Sequence, residues 1–192
     1  MTTLVLGLNG SPRREGNSEF LLREALRGAA SKGASIVQVD LAFMDVSPCR
    51  ACDACFSDGR CSLRDDMDQL YGLMEKADAI IIASPIYFSG MSSHTKTVVD
   101  RCQALWARRN VLKEARAPGD GAIILVAAQP NAKFDNALSE LRAFLIGIGV
   151  RPTEKMTLGG LDRKGMVADM PASLERAFDI GRSLVPDINA SP

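Results

Sequence analysis

The sequence predicts an α/β fold: a doubly wound, five-stranded parallel sheet of order 2-1-3-4-5, with helices on both faces in three layers. Three observations carry this prediction. Short apolar runs alternate with longer amphipathic segments along the chain. The apolar runs are continuous rather than alternating, as strands covered on both faces require. The repeat occurs five times in 192 residues, one domain's worth of chain.

Each unit is legible in order. Leu4-Val5-Leu6-Gly7-Leu8 is the first strand, and residues 18–31 form a helix with Leu22, Ala25, Leu26 and Ala29 at helical spacing. Ile36-Val37-Gln38-Val39 is the second strand, and the helix over 66–77 carries Met67, Leu70, Met74 and Ala77. Ala79-Ile80-Ile81-Ile82-Ala83 is the strongest strand, followed by a helix over 92–108 with Val98, Cys102 and Leu105 on one face. Ala122-Ile123-Ile124-Leu125-Val126 is the fourth strand, and residues 134–148 align Leu138, Leu141, Leu145 and Ile148. Val150 to Leu158 holds the fifth strand, and Pro171 suits the first turn of a last helix facing inward through Leu174, Ala177, Gly181 and Leu184. Residues 1–192 read as one domain with a cysteine-rich insertion at about 45–65, too long to be an idle connection.

Composition narrows the function. Hydrophobic residues make up 46% of the chain, enough for one core. With 23 basic and 23 acidic residues the formal charge is zero, which argues against nucleic-acid binding. No run reaches the ~18 apolar residues of a membrane span, and no secretory signal is visible. A cytoplasmic location is expected, where disulfides are rare. The five cysteines then call for metal, redox chemistry or core packing. The single histidine, His94, cannot furnish a multi-histidine site and has no nucleophile signature beside it. No catalytic acid, base or nucleophile is assigned.

Two loops carry ligand-binding character. After the first strand come Asn9-Gly10-Ser11-Pro12-Arg13 and Gly16-Asn17-Ser18, opening a helix. A helix N-terminus at the carboxyl end of a central strand favours an anion. Ser11, Asn17 and Ser18 add short hydrogen-bonding groups, and Arg13 adds a fork suited to phosphate. The loop is neither a Walker A loop nor a G-x-G-x-x-G fingerprint. A polar connection with Ser18 or Asn17 as helix cap is the structural alternative. The second loop, Ser84-Pro85-Ile86-Tyr87-Phe88-Ser89-Gly90-Met91, follows the third strand.

Together these motifs resemble the NADPH-dependent FMN reductase family of the flavodoxin-like superfamily, and the likeness runs through about residue 160. The resemblance implies that Ser11, Arg13, Asn17 and Ser18 hold the phosphate of FMN. It places the flavin ring against Pro85, Ile86, Tyr87, Phe88, Ser89 and Gly90. Aromatic and apolar side chains there can form a wall, and backbone N–H groups can reach the ring's polar edge. A third contact is expected after the fourth strand. There the family's glycine-bearing turn is replaced by Gln129-Pro130-Asn131, which makes Gln129 and Asn131 the expected donors.

Cys49-Arg50-Ala51-Cys52-Asp53-Ala54-Cys55 and Cys61 space four thiols as C-x2-C-x2-C-x5-C. Zinc sites usually use separated pairs, so the triple fits zinc poorly. Four thiolates can ligate a [4Fe–4S] cube, and a Cys52–Cys55 thiol switch is open as well. The motif resembles that of the iron-sulfur flavoprotein branch of the same family. That likeness implies a [4Fe–4S] cluster on Cys49, Cys52, Cys55 and Cys61. It also implies NAD(P)H as a candidate donor, a ferredoxin-like partner or small-molecule acceptor, and a homodimer or homotetramer. A cluster-free FMN, quinone or nitroaromatic reductase and a non-enzymatic thiol sensor are the competing readings. Cys102 reads as a buried small hydrophobe, and Asp65-Asp66 as acidic residues at a helix start.

Overall fold

The computed structural model describes residues 2–114 and 119–186. Its strands are β1 (Leu4–Asn9), β2 (Ser35–Asp40), β3 (Ala79–Tyr87), β4 (Gly90–Met91), β5 (Asp120–Val126) and β6 (Arg151–Leu158). The helices are α1 (Asn17–Ala30), α2 (Cys55–Asp58), α3 (Met67–Lys76), α4 (Ser93–Arg101), α5 (Gln103–Asn110), α6 (Asp135–Gly147) and α7 (Pro171–Ser183). The parallel strands lie in the order β2-β1-β3-β5-β6, and the two-residue β4 folds back antiparallel on β3. Setting β4 aside, this is the expected 2-1-3-4-5 arrangement.

Alternate residues of each central strand feed opposite faces, which makes two cores. Leu6, Leu8, Ile80, Ile82, Ile123 and Leu125 pack with residues of α3, α4, α5 and α6. Val5, Ile81, Ala83, Ala122, Ile124 and Val126 pack with α1 and α7. The edges differ from the centre for a physical reason. An outer strand has one neighbour and is partly wetted, so β6 carries Arg151, Thr153, Lys155 and Thr157 at its exposed positions.

On the second face α1 and α7 approach through two glycines. A Cβ at Gly28 would lie 1.9 Å from the Phe178 carbonyl oxygen, and one at Gly181 would lie 1.6 Å from that of Ala25. Only glycine permits this backbone separation.

The helix expected over 92–108 is two helices. At the break, the Cys102 N–H is shared between the Val98 and Val99 carbonyls at 3.0 and 3.1 Å. The Arg101 carbonyl there accepts the Tyr71 hydroxyl at 2.7 Å, an outside donor inserted into the helical ladder. No helix among the described residues is long and apolar enough to cross a membrane.

Candidate functional site

The loop between β1 and α1 is held in place before any ligand arrives. The Gly10 N–H donates to the Ala83 carbonyl at 2.8 Å, tying it to the neighbouring strand. The Asn9 amide donates to Asp40 at 2.9 Å, and its oxygen accepts the Ser11 N–H at 3.1 Å. Ser92 Oγ donates to the Gly10 carbonyl at 2.7 Å and is hydrogen-bonded to Thr95 Oγ1 at 2.9 Å. Gly16 is the extended N-cap of α1, and no side chain caps that end. The first-turn N–H groups of a 14-residue helix are thus left for an anion, as an incoming phosphate requires.

These groups border an open cleft of ≈ 510 Å³ counted out into solvent. Ser11, Arg13, Gly16, Asn17 and Ser18 form one wall, and Pro85, Ile86 and Tyr87 form a second. Val126, Ala127, Ala128, Leu161, Asp162 and Lys164 complete it. Asn17 has a further task. Its amide donates to the Leu161 and Arg163 carbonyls at 3.1 and 2.9 Å, and its oxygen accepts the Val167 N–H at 3.0 Å. The Asn17 side chain therefore ties the 161–167 segment beside the cleft, leaving its backbone N–H for the anion.

The expected third wall is present but is built from other residues. Gln129 is exposed and stands one position beyond the lining residue Ala128. The 127–130 segment leans instead on the turn after β6. Ala127 N–H donates to the Leu158 carbonyl at 2.8 Å, and Leu161 N–H to the Ala127 carbonyl at 3.0 Å. A Cβ on Gly159 would lie 2.6 Å from the Pro130 carbonyl oxygen. The Leu158-Gly159-Gly160 sequence signalled this close approach, while Leu161, Asp162 and Lys164 carry no local signature. Phe88, Ser89 and Gly90 are likewise outside the lining. Phe88 (φ 49°) and Ser89 (φ 64°) form a tight turn from β3 into β4, both in the left-handed region. That conformation costs non-glycine residues about 1–3 kcal/mol each, and the Phe88 ring at its tip is fully exposed.

The four clustered cysteines converge. Cys49, Cys52, Cys55 and Cys61 line one cavity of ≈ 420 Å³ on the α4–α5 side of the molecule, with Arg101 and Ala104 in its wall. The backbone turns through the left-handed region at Ala51 (φ 50°) and again at Asp53 (φ 58°). Each turn falls between two cysteines and folds the run around the cavity. Ala51 N–H points at Cys49 Sγ, 3.5 Å away. Ser62 Oγ lies 3.1 Å from Cys52 Sγ, and this hydrogen bond lowers the Cys52 pKa. Burial raises that of Cys55, and the three neighbouring thiols add to the rise. No group of three or more His, Cys, Asp or Glu side chains among the described residues is arranged to hold a metal ion.

The cysteine segment is fastened to the fold by side chains. Arg101 is 1% exposed; it donates to both oxygens of Asp65 at 2.6 and 3.0 Å and to the Ser47 carbonyl at 2.8 Å. Asp65 also accepts the Met67 N–H at 3.1 Å, the expected helix-start contact, and its pairing with Arg101 lowers its pKa. Asp66 accepts the Asp45 N–H at 2.7 Å. Phe56 of α2 meets Trp106 of α5 edge to face, with ring centroids 6.1 Å apart. Cys102 stands apart from the cluster, 2% exposed beside Met74, and burial drives its pKa far upward. In cluster-free protein, native alkylation is expected to label four of the five thiols and spare Cys102 until denaturant is added. Peptide mass spectrometry reads the difference.

A doubly wound parallel sheet of this order, with a cleft at its switch point, is the flavodoxin-like fold. This chain belongs to the NADPH-dependent FMN reductase family, whose model matches residues 3–156. It is an NAD(P)H-dependent FMN reductase-like oxidoreductase. An iron-sulfur flavoprotein of Methanocaldococcus jannaschii is 33% identical over 142 residues, 74% of this chain and 71% of that protein. Another, from Archaeoglobus fulgidus, is 32% identical over 156 residues, 81% and 78% of the two chains. Among solved structures, an NAD(P)H:quinone oxidoreductase from Methanothermobacter marburgensis superimposes with a TM-score of 0.73 at 19% identity, over 96% of this chain and 98% of that one. At that identity the likeness concerns the fold.

Proposed function

We propose that this protein is an iron-sulfur flavoprotein, passing electrons between FMN in the cleft, a [4Fe–4S] cluster on Cys49, Cys52, Cys55 and Cys61, and a partner or small acceptor. The observation that carries the reading is the convergence of all four cysteines on one cavity. Four thiols can complete the ligation of a [4Fe–4S] group. The relatives named iron-sulfur flavoproteins support the same conclusion.

Bound FMN exchanges electrons in pairs or singly, and the cluster exchanges them singly. The chain's own part is binding and tuning. The first-turn N–H groups of α1, with Ser11, Arg13 and Ser18, hold the phosphate. Ile86 and Tyr87 supply a flat wall for the ring, and the 127–128 and 161–162 segments close the opposite side. The 88–90 hairpin lies just beyond the cleft lining, and its backbone N–H groups would be the donors for the ring's polar edge. The four thiolates hold the cluster, and the Asp65–Arg101 pair fixes their segment to α4. NAD(P)H is the proposed reductant for the flavin, and a ferredoxin-like protein or small molecule the acceptor. A homodimer or homotetramer brings the cysteine cavity of one copy toward the cleft of another.

Cys61→Ser tests this reading. The variant is expected to keep stoichiometric FMN and NAD(P)H-driven flavin reduction while losing iron, sulfide and the reduced-cluster electron paramagnetic resonance signal. Full iron content in this variant would rule out the proposed ligand set. A wild-type protein that turns over quinones rapidly with NADPH and never takes up iron would make it a cluster-free reductase.

A further inference from the structure

Arg101 carries more than a clamp needs. It is fully buried, sits in the wall of the cysteine cavity, and uses its two terminal nitrogens on Asp65 and Ser47. Its Nε–H is buried with no hydrogen-bond partner among the described residues. A buried, unsatisfied donor on a cation is costly. Such a cost persists where the group serves a ligand. Burial opposes the Arg101 charge, and the hydrogen-bonded Asp65 carboxylate offsets it; the guanidinium stays ionised. Asp65 is the other charged group in this pairing, 2.6 Å from the guanidinium.

We propose that Arg101 sets the reduction potential of the group held by the four cysteines, its Nε–H donating to a sulfur of that group. The inference rests on the cluster reading above. The resting cluster with its thiolates is anionic, and an electron from an external one-electron reductant adds a further negative charge. A buried cation and a donor at its edge stabilise the more negative form, so they raise the potential. Asp65 sets a limit on this effect, because its carboxylate offsets part of the arginine charge. Arg101 is a positioning and tuning residue, since the thiolates alone bind the iron.

The test is a dithionite redox titration of anaerobically reconstituted protein, followed by electron paramagnetic resonance, on wild type, Arg101→Lys and Asp65→Asn. Iron content and FMN content are measured on the same samples. Arg101→Lys keeps the charge and loses the Nε donor. It is expected to lower the cluster midpoint by about a tenfold shift in the reduction equilibrium, ~59 mV for one electron, with the flavin midpoint unmoved. Asp65→Asn removes a negative charge and is expected to move the cluster midpoint upward. A purely mechanical clamp would give both variants the same change, or none, and either result overturns the proposal. If the lysine variant loads no iron, the sign of the Asp65→Asn shift decides alone: upward supports tuning, and no shift or a downward one overturns it. Wild-type protein that takes up no iron defeats the cluster reading itself, whereas loaded variants with unchanged midpoints defeat only the role of Arg101.

Discussion

Gly10→Ala is expected to weaken FMN binding by about a hundredfold, ~2.7 kcal/mol, in a chain that still folds. A Cβ at this position would sit 1.8 Å from Thr95 Oγ1 and 3.1 Å from Ser92 Oγ. Neither hydroxyl can swing away. Thr95 is 1% exposed and donates to Ser84 Oγ at 3.3 Å, while Ser92 Oγ accepts the Thr95 N–H at 3.2 Å. The Gly10 backbone must therefore shift away from α4. That movement strains the Gly10–Ala83 hydrogen bond and displaces the Ser11 and Arg13 backbone, whose N–H groups are already aligned through Asn9 and Ser11. The loop lies at the sheet's rim, so the two cores are untouched. Titration of FMN into apoprotein, followed by quenching of flavin fluorescence, measures the loss. Circular dichroism establishes that the fold is retained, and wild-type affinity in the variant would show that the loop does not seat the phosphate.

Gly181→Ala is expected to cost about 3 kcal/mol or more of global stability, at the upper end of overpacking effects. The obstruction is backbone: the added Cβ would lie 1.6 Å from the Ala25 oxygen and 2.5 Å from the Ala25 carbonyl carbon. No rotamer change relieves it, so α1 and α7 must separate. Their interface includes Leu22, Ala25, Ala29, Ala177 and Ile180, all fully buried. Against a total of about 5–15 kcal/mol, such a loss is severe. Gly72→Ala in α3 is the matched control, because nothing lies within 4 Å of its Cβ direction. Helix propensity alone then applies, and it should stabilise by up to about 1 kcal/mol. Urea unfolding of the two variants reads both signs. Equal midpoints would mean that the α1–α7 approach is looser than the glycines indicate.

Where the periodicity is strong, sequence and structure agree. The stripe Leu22, Ala25, Leu26 and Ala29 is the buried face of α1, and the β3 run is buried from Ala79 to Ser84. Both signals are local, because a helix or a buried strand imposes its period on the residues that form it. The cleft wall from Ser11 to Ser18 was legible for the same reason, because it is one short stretch of chain. What escaped is long-range. Arg101 looks like any surface cation on a helix, and its partners Ser47 and Asp65 lie 54 and 36 residues away. The Asn17 side chain bonds to the segment near residue 165, about 150 positions downstream, which no local window shows. The helix break at Cys102 depends on a hydroxyl from α3 that no window around the break contains. Beside Ala127 and Ala128 the cleft is lined by Leu161, Asp162 and Lys164, which only the turn after β6 brings in, and Gln129 stands one position beyond the lining.

The most direct measurement is the FMN, iron and acid-labile sulfide content of anaerobically purified protein, taken on one sample with its visible spectrum. The expected result is one FMN and about four iron per chain, with flavin bands over a broad cluster absorbance. One FMN with no iron, even after reconstitution with ferrous iron and sulfide, would contradict the assignment of the four cysteines.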